Sequence, residues 1–140
     1  MSDGLWYFQA VLNAQTPESF NTLTSEIIAA AIEAHRRLGP GLLELAYEAC
    51  LLYELHKRNL KAVSQVGLPV IYDEVRIDVG YRIDVLVEAS VILELKTVEK
   101  FIPLHEAKLI SYLKLSGKKV GLLMNFNVTR LKDGIIRRAN

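Results

Sequence analysis

The hydrophobic period of this chain changes twice along its length, and the order of those changes restricts the folds open to it. From Thr24 to Asn59 apolar residues recur at helical spacing, from residue 63 to 95 they fall into short β-branched runs, and over 104–115 the helical spacing returns. In the first helical stretch Thr24 can cap, Glu26 stands in the first turn, and Ile27, Ile28, Ala31, Ile32 and Leu38 form one face, ended by Gly39-Pro40-Gly41. A second helix is predicted over 42–58, with Leu45, Leu52 and Leu55 among its apolar positions. Strands are predicted over 63–72, 75–81, 83–87 and 91–95, with turns at Asp73-Glu74 and Glu88-Ala89-Ser90. Ser116-Gly117 stops the later helix, residues 120–126 form a buried strand, and Ile135-Ile136 a short last one. The resulting order, α-α-β-β-β-α-β, is that of an α/β sheet with helices on its faces.

Residues 1–22 show no such period and are expected to be an N-terminal extension to a domain over 23–140. Thr16-Pro17-Glu18 has the form of a helix start within that extension. Trp6, Tyr7 and Phe8 fit an arm that covers its own core or the partner in a homodimer, and they have the rings to stack on bases.

With 51% hydrophobic and 24% charged residues, a 140-residue chain can bury a core without disulfides. Cys50 is the lone cysteine, which excludes CxxC-based zinc and redox sites and suits a small core residue. The longest apolar run, residues 27–32, is far too short for a membrane helix, so no membrane partner and a cytoplasmic location are expected. A net charge of +1 argues against a uniformly basic nucleic-acid coat. The charge is unevenly placed, however. From Lys108 onward eight basic residues stand against Asp133 alone, giving that stretch about +7 and leaving the rest near −6. It is either a solvated basic surface or one that attracts a polyanion.

Two polar groupings interrupt the strands. Asp84 lies within Tyr81-Arg82-Ile83-Asp84-Val85, and Glu94 and Lys96 lie within Val91-Ile92-Leu93-Glu94-Leu95-Lys96. Period-two alternation puts Glu94 and Lys96 on one face, as it does Arg82 and Asp84. If the turn at 88–90 pairs the strands antiparallel, Asp84 and Glu94 become neighbours. Two carboxylates so close raise each other's pKa unless a cation lies between them. Two readings follow: an ion cluster in which Lys96 neutralises Glu94 or Asp84, or a site for a hard divalent metal that serves phosphodiester hydrolysis.

Asp84 followed after a hairpin-sized gap by Glu94-Leu95-Lys96, in the order helix, strands, helix, strand, resembles the PD-(D/E)xK nuclease superfamily. Gly41-Leu42-Leu43-Glu44-Leu45-Ala46-Tyr47 matches the motif that names the GxxExxY family of that superfamily, and residues 34–41, 81–84, 111–113 and 121–126 look like the same family. The resemblance implies a restriction-endonuclease-like mixed sheet flanked by helices. It also implies a nuclease dependent on Mg²⁺ or Mn²⁺ and acting on nucleic acid, DNA in the first instance. On it, Asp84 and Glu94 are metal ligands with the Leu95 carbonyl, Glu44 is the helical acid completing the metal site, and Lys96 positions the attacking water.

The family commonly has Gln where this chain has Lys108, four residues before Tyr112. Both fall on one helix face, so Lys108 can meet a phosphate or pair with Glu94 and compete with metal. That substitution motivates the alternative of a catalytically inactive nucleic-acid-binding or assembly module on the same fold. His35 has two readings, a metal or phosphate contact and a packing role at a helix C-terminus. Arg82 either touches phosphate or makes a structural ion pair, Tyr112 shares the substrate-facing side with Lys108, and His105 and His56 are peripheral.

Overall fold

The computed structural model describes residues 16–140, so the Trp6-Tyr7-Phe8 arm lies outside the described residues. Helix α1 spans Pro17–Leu38; Thr16 caps it, its side chain accepting the Ser19 N–H at 3.2 Å. The earlier of the two helix-start signals therefore wins. Thr24 is interior to the helix and buried, and Phe20 sits in the core, so α1 passes residues 22 and 23 without a break. Helix α2 spans Glu44–Lys57 and α3 spans Pro103–Ser116.

Seven strands follow in chain order: β1 (Ala62–Gly67), β2 (Val70–Tyr72), β3 (Val75–Ile77), β4 (Arg82–Val87), β5 (Val91–Lys96), β6 (Val120–Asn125) and β7 (Ile135–Ala139). A short 3₁₀ turn at Leu131–Gly134 leads into β7. The main sheet has the order β1-β4-β5-β6-β7. It is mixed: β5 and β6 are parallel, which requires the crossover that α3 supplies, and the other pairs are antiparallel. A five-stranded mixed sheet with three helices on its faces is the restriction-endonuclease-like architecture.

The expected strand over 63–72 is two strands. Pro69 has no N–H for a ladder, and the chain leaves the main sheet there. β2 and β3 instead pair with each other through a turn at Asp73 and Glu74, both with positive φ. The stretch predicted over 75–81 shortens to three residues because Gly80, at φ 85°, turns the chain back toward the sheet.

Two cores hold the layers together. Ile27, Ala31, Tyr47, Leu51 and Leu55 of α1 and α2 pack on Val85, Val87, Leu93, Leu95, Leu122 and Met124. On the other face Leu109, Tyr112 and Leu113 of α3 pack on Ile83, Ile92 and Leu123. β6 is buried along its whole length, which is why Val-Gly-Leu-Leu-Met reads as a continuous apolar run instead of an alternating one.

The entry to α2 is fixed by one side chain. Tyr47 is fully buried, its ring stacks on Phe126 at a centroid distance of 4.7 Å, and its hydroxyl donates to Gly39 O at 2.5 Å while accepting the Leu42 N–H at 3.2 Å. The turn between α1 and α2, with Gly39 and Gly41 at positive φ, is thereby tied to the core. Tyr47→Phe keeps the ring and leaves both backbone partners without the hydroxyl. It is expected to lower stability by about 0.5–2 kcal/mol in urea unfolding; an unchanged midpoint would show that the turn holds without it.

Candidate active site

β4 and β5 stop pairing one residue before the polar positions. Their ladder runs from Val87↔Val91 to Val85↔Leu93, and the next pair in that register is Asp84 with Glu94. There the side chains take over from the backbone: the Leu95 N–H donates to Asp84 Oδ2 at 2.8 Å, and the Asp84 N–H points to Glu94 Oε1 at 3.4 Å. The carboxylates thus satisfy amides that the splayed strands leave open. Glu94 is buried, and its Oε2 has no hydrogen-bond partner. Lys108 on α3 brings its Nζ to 3.9 Å from that oxygen, an ion-pair distance longer than a hydrogen bond.

Burial, and then the neighbouring Asp84 charge, push the Glu94 carboxyl up to about 8, with Lys108 opposing the rise. Glu44, the first residue of α2, is half-buried; desolvation raises its pKa first and Asp84 second, while Lys96 and Lys108 pull it down. Glu44, Asp84, Glu94, Lys96 and Lys108 therefore share one electrostatic neighbourhood, built from α2, β4, β5 and α3. Lys96 is partly buried at the end of β5 and makes no ion pair among the described residues. The cation beside Glu94 is Lys108, not Lys96.

Among the described residues no three His, Cys, Asp or Glu side chains stand close enough to hold a metal ion. The donor set on hand is two carboxylates, one with a buried oxygen that lacks a hydrogen bond, and that suits a small hard cation that keeps much of its water shell. The residues present fit such an ion, with Glu44 as an acid of the surroundings.

A family model matches residues 21–138, that of the PD-(D/E)XK nuclease superfamily. The chain belongs to the PD-(D/E)XK nuclease superfamily. Comparison with curated proteins and with solved structures returns no match. PD-(D/E)XK nucleases act on nucleic acids and generally use divalent metals, which is the chemistry the carboxylate pair fits. No helix among the described residues is long and apolar enough to cross a membrane.

The remaining sequence-marked residues of this PD-(D/E)XK chain are placed unequally. Tyr112 is buried beneath Lys108, whose Nζ lies 5.3 Å from the ring centroid, with the Tyr81 ring centroid 5.9 Å away. Arg82 is exposed at the start of β4. His35 is buried, and its Nε2 lies in hydrogen-bond reach of the carbonyls of Phe126 at 3.1 Å and Val128 at 2.9 Å, a tether between α1 and the chain after β6. His105 accepts the Ile102 N–H at the start of α3. Besides Lys108, two members of the basic C-terminal stretch are already engaged, Arg138 with Glu106 at 2.6 Å and Arg137 with Asn21 at 2.8 Å.

Sequence reasoning gives no role to Asn125, which is buried beside Lys96 in the β5–β6 register. Its side chain accepts the Val98 and Asn127 N–H groups and donates to Val98 O, closing the chain just beyond Lys96. An amide at the end of an otherwise apolar buried strand is the signal that marks it.

The pKa of Glu94 makes a stability statement about the metal-free chain. Folded, Glu94 keeps its proton to about pH 8; unfolded, it loses it near the ordinary value of 4.5. Between those values the folded state binds more protons, so stability falls as pH rises through this window. Glu94→Gln removes the loss and is expected to raise stability at pH 8 in chelator by about 1–3 kcal/mol, with little effect at pH 4.5. Parallel urea unfolding of both proteins across pH 4.5–8.5 measures this; equal pH slopes would refute the assignment.

Proposed function

We propose that this chain is a nuclease of the GxxExxY type that hydrolyses phosphodiester bonds in DNA with Mg²⁺ or Mn²⁺. The observation that carries the reading is the pairing of the partly buried Asp84 with the buried Glu94 at the splayed end of β4 and β5, with Glu94 Oε2 lacking a hydrogen bond. Asp84, Glu94 and the Leu95 carbonyl hold the ion, and Glu44 completes its surroundings. When bound, the ion supplies the positive charge that lets both acids ionise, and it acidifies water and stabilises charge gathering on the phosphoryl oxygens. Lys96, without a competing carboxylate at ion-pair distance, orients the water whose oxygen bonds to phosphorus as the ester oxygen leaves. Lys108 and the half-exposed Tyr81 offer charge and a ring to the nucleotide on the α3 side, and the exposed Arg82 adds charge at the start of β4.

Purified protein with Mg²⁺ or Mn²⁺ is expected to cut DNA and to stop cutting in chelator. Asp84→Ala or Glu94→Ala should slow cleavage at least about 100-fold while the circular dichroism spectrum stays native. Full activity in either variant would exclude the site.

One contact favours a second reading. Lys108 Nζ beside Glu94 Oε2 supplies a resident positive charge where a metal would supply one, as expected of an inactive nucleic-acid-binding module. Lys108→Gln removes that cation and restores the residue common in the family. It is expected to tighten Mn²⁺ binding by roughly 10-fold in calorimetry. Cleavage that appears only in Lys108→Gln, with chelator-insensitive DNA binding by the wild type, would decide for the inactive module.

A further inference from the structure

Among the described residues six other than glycine have positive φ. Asn59 follows the end of α2, and Asp73, Glu74, Glu88 and Ala89 occupy the hairpin turns, where such values are ordinary. Gln65, at φ 55°, is different: it lies inside β1. A left-handed residue costs an L amino acid energy and persists where its surroundings over-determine it.

The surroundings of Gln65 are specific. β1 and β4 pair in one constant register from Ala62↔Val87 to Gly67↔Arg82, and the single position missing from that ladder is Gln65 with Asp84. The strands also change sides there. Ala62, Val85 and Val87 pack in the α1/α2 core, whereas Val66 and Ile83 pack in the α3 core. Strict alternation would keep Ile83 with Val85 on one face, and Ala62 with Val66 on one face. Both strands therefore turn over at the Gln65–Asp84 position. Asp84 is left outside the ladders on both of its sides, which frees its carboxylate for the Leu95 N–H and its own N–H for Glu94. The Gln65 side chain is held in turn: its Nε2 donates to Glu48 Oε1 at 2.9 Å, and Glu48 is a buried acid of α2, one turn after Glu44.

We infer that Gln65 is a positioning residue for Asp84, locked left-handed by Glu48 so that β4 turns over and delivers the Asp84 carboxylate to the metal-binding edge of β5. The inference deepens the proposed function and rests on Asp84 being part of that site. Its physical content is conformational: what matters at residue 65 is the left-handed backbone, and the side chain serves to hold it through Glu48.

Two substitutions separate backbone from bulk. Gln65→Gly adopts positive φ freely, while Gln65→Val resists it and favours an unbroken ladder. The direct readout is amide hydrogen exchange of Leu95, the donor to Asp84 Oδ2, compared by NMR with Leu122 and Leu123 of β6 as monitors of global opening. In Gln65→Val the Leu95 amide is expected to exchange about 10-fold faster relative to those monitors, and Mn²⁺ binding to weaken roughly 10–100-fold. Gln65→Gly should keep both near wild type. Glu48→Ala, which removes the lock, should speed Leu95 exchange, and adding Gln65→Gly to it should restore protection. Wild-type protection in Gln65→Val, or equal loss in Gln65→Gly, overturns the inference. If Gln65→Val does not fold, the Glu48 pair decides: unchanged exchange in Glu48→Ala, or no rescue by Gln65→Gly, overturns it equally. Absence of cleavage by the wild type would sink the proposed function while leaving the exchange result intact, so the two fail separately.

Discussion

Two carboxylates standing together at the end of a ladder are the constraint around which this molecule is arranged. A sheet that continued past Val85 and Leu93 would satisfy its own amides and leave no room for Asp84 and Glu94 to turn toward each other. Because pairing stops there, the Leu95 N–H needs another acceptor and finds Asp84. The arrangement trades neutral backbone bonds for charged acceptors in a buried place, a combination that is unfavourable for the isolated chain and favourable once positive charge is supplied. Lys108 supplies part of that charge from 3.9 Å, with a side chain that is 42% exposed against 2% for Glu94. Water screens the lysine more than the acid, so the compensation is incomplete.

The rest of the fold brings four separate elements to that point. The parallel β5–β6 pair requires α3 as its crossover, and α3 carries Lys108 and Tyr112 over the sheet. The glycine turn after α1 sets the first residue of α2, Glu44, toward the same place, and Tyr47 keeps that turn from swinging. Glu48 reaches down from α2 to Gln65 on the edge strand β1. No one element carries the chemistry. The site exists only when both faces of the sheet are packed.

Much of this is legible from residue order. The change of period from helix to strand and back is imposed by which faces must be buried, so the helices, the sheet and the crossover can be read from it. Asp84 and Glu94 stand out because charge inside a strand is costly, and Asn125 carries the same signal more weakly. The start of α1 is harder, since Thr16 and Thr24 are both competent caps and only the burial of Phe20 and Thr24 decides between them. The division of residues 63–72 turns on Pro69, whose lost donor outweighs the β-branched residues around it. The left-handed Gln65 is not legible at all. Glutamine has no preference for that conformation; it arises from a tertiary bond to a helix residue 17 positions away in the chain. Lys108 is intermediate: pairing with Glu94 is one of two roles its helix position leaves open in the sequence, and the docking of α3 decides for it.

Phe126 shows how the two sides of the molecule communicate. Its ring lies on Tyr47 of α2, its carbonyl meets His35 of α1, and its own N–H donates to the carbonyl of Lys96 at 2.8 Å. One residue thus acts as a mechanical junction between both helices of one layer and the backbone of the lysine at the end of β5. A displacement of α1 or α2 has a route of direct contacts through this single residue to that backbone. The backbone from which Lys96 extends is thus anchored by the same residue that seats both helices, so the lysine's reach starts from a point fixed by the helical layer.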